Sequence, residues 1–245
     1  MTCKGGVGLA VSGFLFSRPN SQAPHQTPEP RQILGHGACL LRPFWFGLVW
    51  MSSSAFEWWR RHPPPSHIPD LITSVPGLSY CADFLSPGMQ ADVLHTLSRD
   101  GLLFRRGGRG CRGEPDQANV FPPIPPVAEA LLRRIRSLST LAFPGQPALR
   151  HRRPLFDAMA VNRYSEGGYT KAHVDLLQYD DGIAIVSLVA PATLAFRMDG
   201  KCVRVRLGVG SLLMMCGSAR YEWTHEVERV HKDERVSVVL RKLVQ

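Results

Sequence analysis

From residue 157 to the C-terminus, apolar residues come in short unbroken runs or at every second position, the pattern of buried and half-buried strands. Segments 157–164, 183–189, 193–198, 201–207, 211–216 and 235–243 carry it, and Asp199-Gly200 supplies a hairpin turn between two of them. Upstream the spacing changes. "GLSYC" reads as a strand, followed by a helix with Ser86 as N-cap, Pro87 at its first position, and Met89, Val93, Leu94 and Leu97 on one face. A second helix starts near Pro126. Its buried stripe is Val127, Leu131, Leu132, Ile135 and Leu138, with Arg133, Arg134 and Arg136 elsewhere on its surface. Two helices followed by a series of strands predict an α+β protein with a sandwich or barrel core.

Residues 1–66 break both patterns. "PNSQAPHQTPEPRQ" at 19–32 and "HPPPSH" at 62–67 bury too little apolar surface to offset the entropy of ordering, so this stretch is expected to be a disordered extension. Residues 67–245 are expected to form the folded domain. No apolar run reaches the ~20 residues of a membrane-spanning helix; the nearest, 38–51, is interrupted by Arg42, Pro43 and Gly47. The six cysteines form no C-x-x-C pair, which points to free thiols in a reducing compartment and an intracellular protein, in cytoplasm, nucleus or mitochondrion. Net charge is +9, and residues 101–150 hold eight arginines against Glu114, Asp116 and Glu129. That balance suits either a polyanionic partner or a solvated basic surface.

His173-Val174-Asp175 offers the first specific chemistry. Side chains two apart on a strand project the same way, so both could face one metal ion if the strand reaches residue 175. A non-haem Fe(II) centre takes two histidines and one carboxylate on one side of the metal and keeps its other positions open. His225 is the preferred second histidine, with His231, in the charged "RVHKDER", as its rival. In "RVSVVLR", alternation puts Arg235, Ser237, Val239 and Arg241 on one face and Val236, Val238 and Leu240 on the other. Either the arginines are solvated, or the strand is sandwiched and they point into a cavity that needs an acidic ligand. Asn162 and Tyr164 likewise present an amide and a phenol from one face of strand 157–164.

"NRY" at 162–164, "HVD" at 173–175, "VSL" at 186–188, "GSARYEWTH" at 217–225 and "RVSVVLR" at 235–241 stand in an order that resembles the AlkB family of Fe(II)- and 2-oxoglutarate-dependent dioxygenases. "VPGLSYCADFLSP" at 75–87 is similar to the family's opening strand and helix, so the resemblance covers roughly residues 70–245. It implies a double-stranded β-helix, a jelly-roll core supported by the N-terminal helices. It further implies that His173, Asp175 and His225 bind Fe(II), and that Asn162, Tyr164 and Arg235 hold 2-oxoglutarate, Arg235 on the distal carboxylate. Arg241 matches the family's second arginine near the metal, and Ser237 stands where the bacterial repair enzyme has asparagine. The implied reaction uses dioxygen and 2-oxoglutarate to oxidise a substrate C–H bond, which appears as demethylation at an N-methyl carbon and as hydroxylation elsewhere.

The family is used on DNA, RNA and protein, and the arginines decide the expectation here. Residues 99–153 stand where nucleotide-handling members carry a lid, so Arg105, Arg106 and Arg109, together with Arg220, are taken as substrate contacts. The expected substrate is a nucleic acid, RNA before DNA, acted on by a monomer with no membrane partner. Protein hydroxylation or demethylation is the alternative, and a non-catalytic binding module the lesser one.

Overall fold

The computed structural model describes residues 69–103, 113–138, 143–231 and 234–245. The expected N-terminal extension, and Arg105, Arg106 and Arg109, lie outside the described residues. In chain order the elements are β1 (Asp70–Leu71), β2 (Leu78–Cys81), α1 (Pro87–Arg99), β3 (Asp116–Val120), α2 (Pro126–Arg136), a 3-10 turn (Pro147–His151), β4 (Ala158–Tyr164), β5 (Thr170–His173), β6 (Ile183–Leu188), β7 (Ala192–Met198), β8 (Lys201–Leu207), β9 (Leu212–Met215), the short α3 (Ser218–Tyr221), β10 (Thr224–Val227) and β11 (Arg235–Arg241). They form a seven-stranded sheet, β1-β2-β9-β6-β11-β4-β3, and a four-stranded sheet, β5-β10-β7-β8, all pairs antiparallel. Facing each other, the two sheets make the double-stranded β-helix, with α1 and α2 on the outer face of the larger one.

The inner strands of the large sheet are buried on both faces, which is why several of them read as continuous apolar runs. Met159 and Val161 of β4, Val186 of β6 and Val236, Val238 and Leu240 of β11 pack outward with Val93 and Leu97 of α1 and Leu131 and Ile135 of α2. Ala160, Ile185, Leu213 and Val239 point inward, against Leu194, Phe196 and Val205 of the small sheet. Each such Leu, Ile or Val contributes about 1.5–3 kcal/mol by leaving water. β11 lies between β6 and β4 and supplies side chains to both layers.

The local signals behave as their chemistry requires. Ser86 Oγ accepts from the Met89 amide at 3.4 Å and Pro87 opens α1. Asp199 and Gly200 both have positive φ, 47° and 75°, as a tight β7–β8 hairpin demands. One arginine departs from its expected place. Arg134 of α2 is buried, because its Nε donates to the Phe84 carbonyl at 2.7 Å and its guanidinium lies over the Phe84 ring.

Candidate metal centre and cosubstrate pocket

The paired strands β5 and β10 put His173 directly opposite His225, with ring centroids 4.5 Å apart. β5 ends at His173, so Asp175 is in the loop beyond it, and strand alternation does not aim its side chain. Two arginines from elsewhere do that work. Arg220, on α3, donates from Nη1 to the Asp175 carbonyl at 3.0 Å and from Nη2 to the Leu176 and Tyr179 carbonyls at 2.9 Å each. Arg241, at the end of β11, donates to Asp175 Oδ1 at 2.5 Å. The backbone of the loop and one carboxylate oxygen are thereby fixed, and Asp175 Oδ2 is left buried without a hydrogen bond, 3.5 Å from His225 Nε2.

The three side chains offer ligand atoms within 4.8 Å of one another. Their protonation suits a cation. His173 Nδ1 is 2.8 Å from the Lys171 carbonyl, which can only accept, so Nδ1 carries the hydrogen and Nε2 keeps its lone pair. Burial pushes His225 down to about 4, against the attraction of Asp175, and the ring is neutral at physiological pH. Burial alone would raise Asp175, but Arg241, then His225, His173 and Arg220, hold its carboxyl below the usual range. A neutral His225 ring, a His173 ring turned with Nε2 away from its Lys171 contact, and an ionised carboxylate with an unpartnered oxygen fit a divalent transition metal. His231 is exposed beyond β10 and lines a separate cavity.

Beside this cluster is a cavity of about 90 Å³ lined by polar groups from β3, β4, β5 and β11 and by the apolar walls Ile185, Leu194, Val227 and Val239. Arg235 is 1 % exposed. It lies over the Tyr164 ring and donates from Nη2 to Ser187 Oγ at 3.3 Å, while its Nε and Nη1 have no acceptor. Burial lowers its pKa, partly offset by Tyr164, and among the described residues no carboxylate pairs with it. A buried guanidinium with two idle donors fits an acidic ligand. Asn162, Tyr164, Ser237 and Arg241 line the same cavity.

Arg220 was expected to meet the substrate, but it is fully buried, its Nη1 and Nη2 donate to three backbone carbonyls, and it holds the Asp175 loop instead of lining the cavity. Sequence reasoning also missed Gln117, Thr170 and Ser187, which line the pocket or bond to its residues. Replacing Arg220 by Met is expected to weaken Fe(II) or Co(II) binding about 10- to 100-fold by releasing the loop that aims Asp175, as metal titration would register.

The fold and donor set define a class, and similarity to known proteins agrees with it. Residues 77–241 match the model of the 2OG-Fe(II) oxygenase superfamily. The chain belongs to that superfamily and is AlkB-like, and with it come Fe(II), 2-oxoglutarate and dioxygen as reaction requirements. It is 30% identical over 132 residues to alpha-ketoglutarate-dependent dioxygenase alkB homolog 7, mitochondrial, of Bos taurus, covering 48% of this chain and 55% of that protein. It is 37% identical over 169 residues to tRNA (carboxymethyluridine(34)-5-O)-methyltransferase alkbh8 of Xenopus tropicalis, covering 62% of this chain and 25% of that protein. The chain thus spans about half the length of the first relative and a quarter of the second. The solved structure of OsALKBH1 superimposes with a TM-score of 0.54 at 16% identity, over 71% of this chain and 99% of that one, and shares the fold.

Proposed function

We propose that the protein is an Fe(II)- and 2-oxoglutarate-dependent dioxygenase that oxidises a C–H bond of a nucleic acid, RNA before DNA. The observation that carries the catalytic part is the juxtaposition of the His173–Asp175–His225 cluster with the idle donors of buried Arg235 in one cavity. His173 Nε2, Asp175 Oδ2 and a ring nitrogen of His225 would hold the metal. The chemistry that iron supplies with 2-oxoglutarate is activation of dioxygen, with succinate and carbon dioxide as co-products and oxidation of the substrate C–H bond. The chain's own residues bind and orient. Arg235 would neutralise the distal carboxylate, Asn162 and Tyr164 would add an amide and a hydroxyl, and the apolar walls Ile185, Leu194, Val227 and Val239 would exclude water from the bound cosubstrate.

RNA is favoured by the chain's net charge of +9, by the arginines of 101–150, and by a relative whose name places it on tRNA. Protein is the second reading, and it has its own observation. Leu176 and Leu177, immediately after Asp175, are 65% and 76% exposed, an apolar pair at the metal cluster that suits an aliphatic or peptide surface. The protein charged with Fe(II) and 2-oxoglutarate should release succinate faster on adding its substrate class, so small RNA and a pool of cellular peptides are tried separately. Stimulation by RNA with a mass change in a nucleoside supports the first reading. Stimulation by peptides alone transfers the proposal to protein, and no succinate under any condition removes the catalytic reading.

A further inference from the structure

The polar residues of the pocket are not scattered. β3, the edge strand of the large sheet, turns Ala118 and Val120 toward the helix-side core, which leaves Gln117 and Asn119 on the pocket side. The register places Gln117 opposite Asn162, Asn162 opposite Ser237, and Ser237 opposite Ser187, one row of polar side chains across four neighbouring strands. The row ends at Arg235, whose Nη2 donates to Ser187 Oγ.

Direction matters in such a row, because an amide has a donor end and an acceptor end, whereas a carboxylate ligand only accepts. Asn162 helps to bind a carboxylate only while its Nδ2 hydrogens face the cavity. Gln117 Nε2 donates to Asn162 Oδ1 at 2.7 Å and so occupies the acceptor end. Gln117 is fixed in turn, since its Oε1 accepts from Asn119 Nδ2 at 3.2 Å. Every donor in the series points inward, from Asn119 to Gln117 to Asn162. Among the described residues no hydrogen bond uses the Asn162 Nδ2 hydrogens, which are thus held for the ligand.

We propose that Gln117 is a positioning residue for the 2-oxoglutarate pocket, acting by locking the Asn162 amide with its donor end toward the cosubstrate carboxylate. This rests on the reading of the cavity as a 2-oxoglutarate site. Gln117 is exposed on an edge strand, so its substitution leaves the core intact.

The test is a double-mutant cycle on the full chain loaded with Mn(II), with N-oxalylglycine as the probe and calorimetry as the readout. Gln117→Met should weaken N-oxalylglycine binding about fivefold, the scale of one net hydrogen bond. Gln117→Glu should weaken it further, because a carboxylate cannot donate to Oδ1 and draws the amide's donor end away from the cavity. In an Asn162→Ala background, or an Asn162→Ser background should the first not fold, Gln117→Met should have no added effect. In turnover, KM for 2-oxoglutarate should rise by the same factor while kcat at saturating cosubstrate holds. Asn119→Ala should act in the same direction and more weakly. Unchanged affinity in Gln117→Met, or an equal loss with and without Asn162, overturns the proposal. Failure of the wild-type protein to bind N-oxalylglycine at all overturns it together with the cosubstrate reading, and the two failures are thereby told apart.

Discussion

Asp175→Ala is expected to lose Fe(II) and all 2-oxoglutarate turnover, and also to lower the melting temperature of the metal-free protein. The first effect follows from charge, since Asp175 is the one carboxylate among three candidate ligands and its Oδ2 is the oxygen left without a hydrogen bond. The second follows from what the substitution strands. Arg241 and Asp175 have side chains 12% and 5% exposed, and removing one member of such a buried pair costs about 3–5 kcal/mol because the other charge remains desolvated. His173→Ala provides the contrast. It removes a ligand of equal rank from a half-buried position without leaving a charge unpaired, so metal content should fall as far while the metal-free melting temperature moves much less. Metal analysis and thermal melts of the two variants check both halves. Equal melting temperatures would mean that the Arg241–Asp175 pair contributes little to the fold.

Arg235→Met should move stability and function in opposite directions. Arg235 is 1% exposed, two of its three nitrogens lack acceptors, and burial disfavours its charged form. In the cosubstrate-free protein this is a desolvated cation without a counterion, so a methionine of similar reach should raise stability by about 1–4 kcal/mol, the range seen when buried charges give way to apolar groups. With 2-oxoglutarate present the order reverses. The wild type gains RT ln(1 + [L]/Kd), about 2.7 kcal/mol at a hundredfold excess over Kd, and the variant gains almost nothing. Melting curves with and without 2-oxoglutarate should therefore cross over between the two proteins. A variant less stable than wild type in the absence of cosubstrate would show that Arg235 serves the fold more than the ligand.

These contrasts follow how the sequence could and could not be read. β4, β6, β7, β8 and β11 were legible because each combines branched apolar residues with alternation, and their observed bounds fall within two residues of those expected. β3 was not, since "DQANV" is short and polar, and only its pairing to β4 makes it a strand. The metal cluster was legible as a composition, His173, Asp175 and His225, but for an incomplete reason. A strand was expected to aim both members of H-x-D, yet β5 stops at His173 and Asp175 is aimed by arginines 45 and 66 residues away. No local pattern carries such information. Arg220, expected as a substrate contact, shows the same limit, because the carbonyls of residues 175, 176 and 179 that converge on it come from a segment more than 40 residues away. Arg134 repeats the lesson with the Phe84 carbonyl.

β11 has a consequence for how this chain tolerates length changes. Its odd positions 235–241 carry the pocket and its even positions carry the helix-side core, with β6 and β4 bonded along both edges. Inserting or deleting one residue at its start would transpose the two sets, driving two guanidinium groups beneath α1 and α2 and three aliphatic side chains into the cavity. Substitutions here can be graded, but indels cannot. Across variants of this protein, gaps should therefore gather in the β7–β8 hairpin and other connecting loops and be absent from residues 235–241, a pattern that deep insertion scanning with a folding reporter would reveal before any assay of activity.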